Sequence, residues 1–272
     1  MRRTVCLVCI FLAAQLLASM VVMFFFNLPG LLRDGRLDLD VVASPGALGI
    51  SLVLSAALVW AVMTLLRWTD RKSFRSGGYG RAVYGTLVLW MVPVIFLVNL
   101  LLEAFALEDL NEETFLRMAY DPWGILALVV AGPFSEELVF RMGIQRHLMR
   151  HRMRPWVAIA LTGLIFGVIH GNPAQIPGAV LFGFVLGWLY WRSGTIWTSV
   201  AAHVFNNFMG VALIWCTGDA RYTLVELCGG VWAAVLWAVV ALPLVYVGVR
   251  SLDRMFVTPL AGKGTGSAGV RL

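Results

Sequence analysis

Two adjacent glutamates, Glu136 and Glu137, stand in an apolar stretch just before Arg141. A carboxylate in such surroundings costs free energy unless it is paired, so it usually faces the interior of a helical bundle and has a function. On a helix, Glu137 and Arg141 share a face and neutralise one another as an i, i+4 pair, for which a purely structural role is the alternative. Glu136 points about 100° away and needs a partner on another helix. Pro133 removes a backbone donor and predicts a kink just before both acids.

Two histidines each stand one helical turn from a residue on the same face. His170 follows Phe166, and His203 precedes Asn207. Taken singly, each histidine is most simply explained as a cap or as an interhelical hydrogen-bonding residue. Taken together with Glu136, they form a set suited to hydrolysis. A carboxylate with a histidine binds and deprotonates water, and a His–Asn pair supplies donors to an oxyanion.

The same side chains leave the use of a metal open. Glu136, His170 and His203 are also a ligand set for a zinc ion, with the fourth position left to water. A metal-free site and a zinc-assisted site both hydrolyse amide bonds. The spacing of these residues does not separate the two mechanisms.

The composition indicates that membrane-spanning helices position these residues. The chain has 272 residues, of which 60% are hydrophobic and 13% charged, and its mean hydropathy is +0.83. Soluble domains are far more charged, so an ordinary soluble enzyme, a disordered chain and a disulfide-stapled module are excluded. Since a span needs roughly 20 apolar residues, the sequence predicts an all-α polytopic bundle of about eight transmembrane helices. The apolar stretches are 4–27, 46–66, 82–102, 123–145, 155–172, 174–191, 195–215 and 229–249.

The fifth and sixth stretches are short and meet at a strong helix breaker. The breaker is Gly171-Asn172-Pro173, which favours a turn. Two full spans are the preferred interpretation, and a helical hairpin that does not fully cross is the alternative.

The basic residues indicate the orientation. With the N-terminus in the cytoplasm, 17 of the 21 lysines and arginines fall on the cytoplasmic side, as the positive-inside rule requires. Eight spans place both termini in the cytoplasm. The net charge of +6 is then an orientation signal, and nucleic acid is not expected as a partner.

A single membrane domain is predicted over residues 1–260, with its core at about 123–215. Residues 261–272 have the composition of a flexible cytoplasmic tail. The first span reads as an uncleaved anchor, because its apolar core is longer than that of a signal peptide. Cys216 and Cys228 flank the last outer loop, where a disulfide is an open question. The predicted location is the plasma membrane of a bacterium, as a multi-pass integral protein.

Three segments in order resemble the CAAX protease and bacteriocin-processing (CPBP, or Abi) family of intramembrane proteases. The family motifs E-E-x-x-x-R, F-x-x-x-H and H-x-x-x-N are matched within residues 136–207. Each motif is weak alone, but three in order on predicted membrane helices are specific. The matching residues are Glu136, Glu137, Arg141, Phe166, His170, His203 and Asn207.

The resemblance implies an endopeptidase that cleaves a membrane-associated protein or peptide inside a helical bundle. By that resemblance, Glu136 and His170 would activate water, and His203 and Asn207 would form the oxyanion hole. The family is described both as metalloproteases and as glutamate proteases. A metal-free site with no cofactor is favoured, and zinc is the alternative. The residues that brace the site or hold the substrate would be Glu137, Arg141 and Phe166.

Two other functions compete with proteolysis. One is a non-catalytic immunity or regulatory protein of the membrane, in which the polar residues form a structural network. The other is a small-solute transporter that uses the intramembrane acids as a proton relay. No inverted repeat is visible, which counts against a transporter. The expected partners are the lipid bilayer and a membrane-associated peptide or protein substrate.

Overall fold

The computed structural model describes residues 2–35, 37–38, 40, 43–75 and 79–256, and these contain helices and no strands. The predicted tail 261–272 lies outside the described residues. We number the helices α1 to α11 in chain order. They are α1 Arg2–Asp34, α2 Pro45–Leu65, α3 Arg71–Arg75, α4 Arg81–Glu103, α5 Glu112–Met118, α6 Pro122–Arg150, α7 Pro155–Val168, α8 Gln175–Ser193, α9 Ile196–Thr217, α10 Leu224–Leu227 and α11 Val231–Met255.

Six described helices, namely α1, α2, α4, α6, α9 and α11, are long and apolar enough to cross a membrane. The chain is therefore a multi-pass integral membrane protein, and the all-α prediction is confirmed. Helices α7 and α8 occupy the fifth and sixth predicted stretches. Helix α7 has only 14 residues, which is about 21 Å at the rise of an α-helix.

The α7–α8 hairpin extends along the bundle from one end to the other. At its turn, the Asn172 amide donates to Asp109 Oδ1 at 2.7 Å, and the Leu110 amide donates to Asn172 Oδ1 at 3.2 Å. At its open end, the Tyr79 hydroxyl donates to the Ser193 carbonyl at 2.8 Å. The hairpin thus joins the loops at opposite ends of the bundle, and its full crossing of the membrane stays a prediction.

The two ends of the described chain contact the same segment, between α2 and α4. The Arg3 guanidinium lies 4.6 Å from the ring centroid of Trp68. The Phe256 ring packs edge-on against Tyr79, with 5.6 Å between centroids. Both ends of the described chain therefore lie at one end of the bundle, which agrees with the predicted topology. We call this the cytoplasmic end, following the distribution of the basic residues.

Two glycines allow α7 and α8 to approach closely. A Cβ atom on Gly183 would lie only 2.7 Å from the Cα atom of Gly163. Small residues at such crossings let helix backbones come into contact inside a membrane. This close packing fixes α7, and with it Phe166 and the adjoining His170, against the rest of the bundle.

Helix α6 departs from α-helical hydrogen bonding on both sides of the two glutamates. Its α-helical turn Gly132–Glu137 lies between π-helical segments at Ala127–Ala131 and Leu138–Gln145. The sequence predicts one kink at Pro133, whereas the structure spreads the irregularity over both flanks. Such π-helical turns are rare and are frequently found at functional sites.

The four cysteines are free thiols. Cys216 and Cys228, at the two sides of the last outer loop, are therefore not joined in this structure.

Candidate active site

Glu137 and Arg141 form a fully buried ion pair on α6. Nε of Arg141 donates to Oε2 of Glu137 at 2.9 Å, and both side chains are 0% exposed. The pairing expected from their i, i+4 spacing is present. The two terminal nitrogens of Arg141 are buried and have no hydrogen-bond partner among the described residues. One face of the guanidinium is covered by the Phe166 ring, at 5.3 Å from its centroid.

His203 of α9 contacts the other oxygen of the same carboxylate. Its Nδ1 lies 3.1 Å from Oε1 of Glu137, so each oxygen of Glu137 has its own partner. A carboxylate paired with an arginine only accepts hydrogen bonds, so His203 Nδ1 must carry a proton. The contact therefore fixes the orientation of the imidazole.

Glu136 lies beside the other nitrogen of the same imidazole. Oε2 of Glu136 is 3.6 Å from Nε2 of His203, and the Glu136 side chain keeps 20% of its surface exposed. This confirms the expectation that Glu136 finds its partner on another helix. His203 thus lies between two carboxylates, one buried and one accessible.

Phe166 and His170 bring α7 into the site. The Phe166 ring packs edge-on against His170 at 4.9 Å and against His203 at 5.7 Å between centroids. Nδ1 of His170 lies 2.7 Å from the Phe166 carbonyl, so it acts as the donor and leaves Nε2 as the free nitrogen. Among the described residues, no hydrogen bond or ion pair joins His170 to Glu136. Phe166 connects the two histidines.

Asn207 lies one turn beyond His203 and bonds back to α6. Its Nδ2 donates to the Leu128 carbonyl at 2.8 Å, and its Oδ1 accepts from the Asn206 amide at 3.1 Å. One N–H of the Asn207 amide is committed to this carbonyl. The other N–H is left to serve a further acceptor.

The residues proposed as zinc ligands do not come together as a metal site. Within the described part of the chain, no group of three or more His, Cys, Asp or Glu side chains is placed to hold a metal ion. Glu136 and His203 are neighbours, while Nδ1 of His170 is engaged by the Phe166 carbonyl. The donor set of Glu136, His170 and His203 therefore does not fit zinc in this arrangement.

Two contacts of the site carried no clear signal in the sequence. Spacing pairs Glu137 with Arg141 but says nothing of His203, which lies 66 positions later. The Asn207 amide donates to a backbone carbonyl in a π-helical segment. Every residue has a backbone carbonyl, so residue types do not predict which one accepts this bond. From the sequence we could predict only that a membrane-buried acid needs partners. It did not indicate that the two oxygens of Glu137 bond to residues of two different helices.

The middle of the chain matches a known family. Residues 118–209 match the family described as Type II CAAX prenyl endopeptidase Rce1-like. This segment contains all three motifs and every residue of the candidate site. The resemblance to CAAX proteases is thereby confirmed.

Individual relatives agree with this match at low identity. The chain is 23% identical to a Bacillus subtilis protein named membrane peptidase YdiL, over 58% of this chain and 68% of that protein. It is 26% identical to the uncharacterized protein YyaK of the same organism, over 58% of this chain and 54% of YyaK. It is also 26% identical to CAAX prenyl protease 2 of Arabidopsis thaliana, over 43% of this chain and 44% of that protein. The chain thus spans about half the length of the latter two relatives. No solved structure matches.

Proposed function

We propose that this protein is an intramembrane endopeptidase that hydrolyses a peptide bond of a membrane-associated protein or peptide. The observation that carries the proposal is the position of His203 between Glu136 and Glu137, inside the segment that matches the protease family. An accessible carboxylate is suited to take a proton from water, and an oriented imidazole beside it is suited to stabilise the oxyanion that results. A purely structural network has no need to leave Glu136 accessible.

In the proposed reaction, Glu136 acts as the general base. A water molecule between Glu136 and His170 gives a proton to Glu136 while its oxygen attacks the carbonyl carbon of the substrate. The Nε2 atom of His170 accepts the second hydrogen of that water and orients it, because its Nδ1 proton is held by the Phe166 carbonyl. The protonated Glu136 then gives its proton to the nitrogen of the leaving amine as the C–N bond breaks.

Hydrogen-bond donors must stabilise the negative charge that develops on the substrate oxygen. In this scheme His203 acts as an imidazolium that donates through Nε2–H, while its Nδ1–H is held by Oε1 of Glu137. The second amide hydrogen of Asn207 supplies the other. Glu137 and Arg141 are positioning residues in this scheme, because they act through His203 and Phe166.

The substrate class follows from where the site lies. Its residues belong to α6, α7 and α9, within the apolar bundle. The scissile bond therefore comes from a chain held at or in the membrane. One relative carries CAAX prenyl protease in its name, which makes a lipid-anchored C-terminal peptide a substrate to test first.

The test compares cleavage products between cells that carry matched variants. Membrane proteins and released peptides are identified by mass spectrometry of new chain ends in cells with wild type, Glu136→Gln, His170→Ala and Glu113→Gln. Glu113 is an exposed acid on α5, 77% accessible, so its variant controls for loss of one carboxylate. Products that vanish only with the first two variants support proteolysis. Unchanged products, with all variants inserted and folded, would favour a non-catalytic membrane partner.

A further inference from the structure

A strongly basic cavity lies at the cytoplasmic end of the bundle, separate from the candidate active site. Its volume is about 220 Å³, and since a water molecule occupies about 30 Å³ in the liquid, the cavity has room for a phosphate group with several waters. The cytoplasmic ends of α1 and α6, together with the loop after α2, form its walls. The charged and titratable residues that line it are Arg3, Arg67, Asp70, Arg146, His147 and Arg150.

The positive charge in this cavity is largely uncompensated. Asp70 is the one acid in the lining, and it is already paired with Arg146 and bonded to the Lys72 amide at 3.0 Å. Within the described part of the chain, none of the ion pairs involves the other three lining arginines. One carboxylate thus offsets the charge of four guanidinium groups.

Arg3 is held at the wall of the cavity by Trp68. Its Nε is buried and has no hydrogen-bond partner among the described residues. Its guanidinium lies 4.6 Å over Trp68, which holds the planar group in place by a cation–π contact. Nε itself is not accessible from the cavity, so an anion there would meet the rest of this held guanidinium.

We propose that this cavity binds the phosphate group of an anionic membrane phospholipid. Guanidinium groups recognise phosphate oxygens through paired, charge-assisted hydrogen bonds. Anionic lipids supply such phosphates at the cytoplasmic surface, and basic pockets between transmembrane helices bind their headgroups. Trp68 lines the cavity and belongs to a residue type enriched at the membrane interface, so the site lies at the depth of the headgroups. This assignment does not depend on the proposed protease activity.

The test measures lipid binding to the full chain in nanodiscs. Thermal unfolding is followed in phosphatidylcholine alone and with added phosphatidylglycerol, and lipids retained after extraction are counted by native mass spectrometry. The variant Arg67→Gln/Arg150→Gln removes two cavity charges. The control Arg81→Gln/Arg254→Gln removes two exposed charges at the same end of the bundle, outside the cavity.

We expect phosphatidylglycerol to raise the Tm of wild type and of the control, and to be retained by both. The cavity variant should lose retention, with an affinity at least about tenfold weaker, the effect of one lost charge-assisted hydrogen bond. Equal retention by the cavity variant and the control would overturn the proposal. A single Arg150→Lys variant, which keeps the charge but loses the paired donors, should fall between the two and guards against misfolding of the double variant.

A soluble probe separates the lipid from free phosphate compounds. Glycerol 3-phosphate carries a phosphate on the glycerol unit found in the lipid, as a monoester and without acyl chains. We expect it to bind to the wild type far more weakly than phosphatidylglycerol. A Tm shift from glycerol 3-phosphate as large as that from the lipid would overturn the lipid assignment in favour of a soluble phosphate ligand.

Discussion

Oε1 of Glu137 lies 3.1 Å from Nδ1 of His203, while Oε2 of the same carboxylate accepts from Arg141 at 2.9 Å. One buried acid therefore joins the two helices α6 and α9 and sets the direction of the imidazole. Glu136, the next residue, keeps a partly exposed side chain beside the far nitrogen of that ring. The two adjacent glutamates have different surroundings, and this difference gives separate predictions for each.

Replacing Glu136 by Gln should abolish cleavage and leave stability almost unchanged. The side chain is 20% exposed, and its nearest polar partner, His203 Nε2, is 3.6 Å away. Loss of a general base typically lowers the rate by about 10²–10⁴-fold. Activity on the identified substrate and thermal unfolding of the purified protein in detergent are both measured. A large drop in Tm with activity retained would contradict the assignment.

Replacing Glu137 by Gln should instead destabilise the fold. Arg141 would then remain charged in a site that is 0% exposed, and removing one partner of a buried ion pair costs about 3–5 kcal/mol. Unfolding of Glu137→Gln and Glu136→Gln side by side provides the comparison. Equal stability of the two variants would show that the ion pair is not buried as described.

Replacing both members of the pair by apolar residues should recover stability without recovering activity. In Glu137→Leu/Arg141→Met no charge is left unpaired, and such replacements of buried ion pairs are often neutral or stabilising. His203 loses the carboxylate that orients it, so cleavage should stay low. Restored Tm together with restored activity would argue against a positioning role for Glu137.

Phe166→Leu should lower activity more than its loss of stability explains. The Phe166 ring contacts His170, His203 and the guanidinium of Arg141. Leucine fills part of the same volume but has no aromatic ring to make these contacts. The control is Phe182→Leu, a buried aromatic residue in a separate cluster. Both variants should lose about 1–3 kcal/mol of stability. Only Phe166→Leu should lose most of its activity in kinetic assays.

The positions of the helices were predictable from the sequence, whereas the way two of them cross the bundle was not. Apolar length and the basic residues predicted where spans occur and which ends lie together. Helix α7 is too short to be assigned as a full span by length alone. Its path depends on the Gly163–Gly183 contact and on Asn172 at the turn, which are tertiary features.

The contacts of the candidate active site were likewise only partly predictable from the sequence. The i, i+4 rule correctly paired Glu137 with Arg141, because both residues lie on one helix. The distance between α6 and α9 is set by packing, so spacing could not tell which glutamate His203 approaches more closely. The joint action of Glu136 and His170 on water stays a prediction, and the sequence did not predict the bond from His170 Nδ1 to the Phe166 carbonyl near the end of α7.

Activity should survive removal of metal ions. The described donors do not cluster in threes, and the proposed steps use protein groups alone. Purified protein is assayed before and after treatment with a chelator, and its metal content is measured by elemental analysis. Inactivation by the chelator, reversed by zinc, would contradict this prediction and reopen the ligand set of Glu136, His170 and His203.

Asn207→Ala should lower kcat while leaving KM nearly unchanged. The second amide hydrogen of Asn207 is proposed to meet the oxyanion, which exists only in the transition state, so its loss affects kcat and not ground-state binding. Removal of one such donor costs about 10²–10³-fold in kcat. Asn207 also bonds to the Leu128 carbonyl at 2.8 Å, so a merely structural role would appear as a lower Tm.

The neighbouring Asn206→Ala removes an amide that bonds to Asn207 itself and should keep most of the activity. If Asn206→Ala and Asn207→Ala lose kcat equally, the oxyanion role of Asn207 fails.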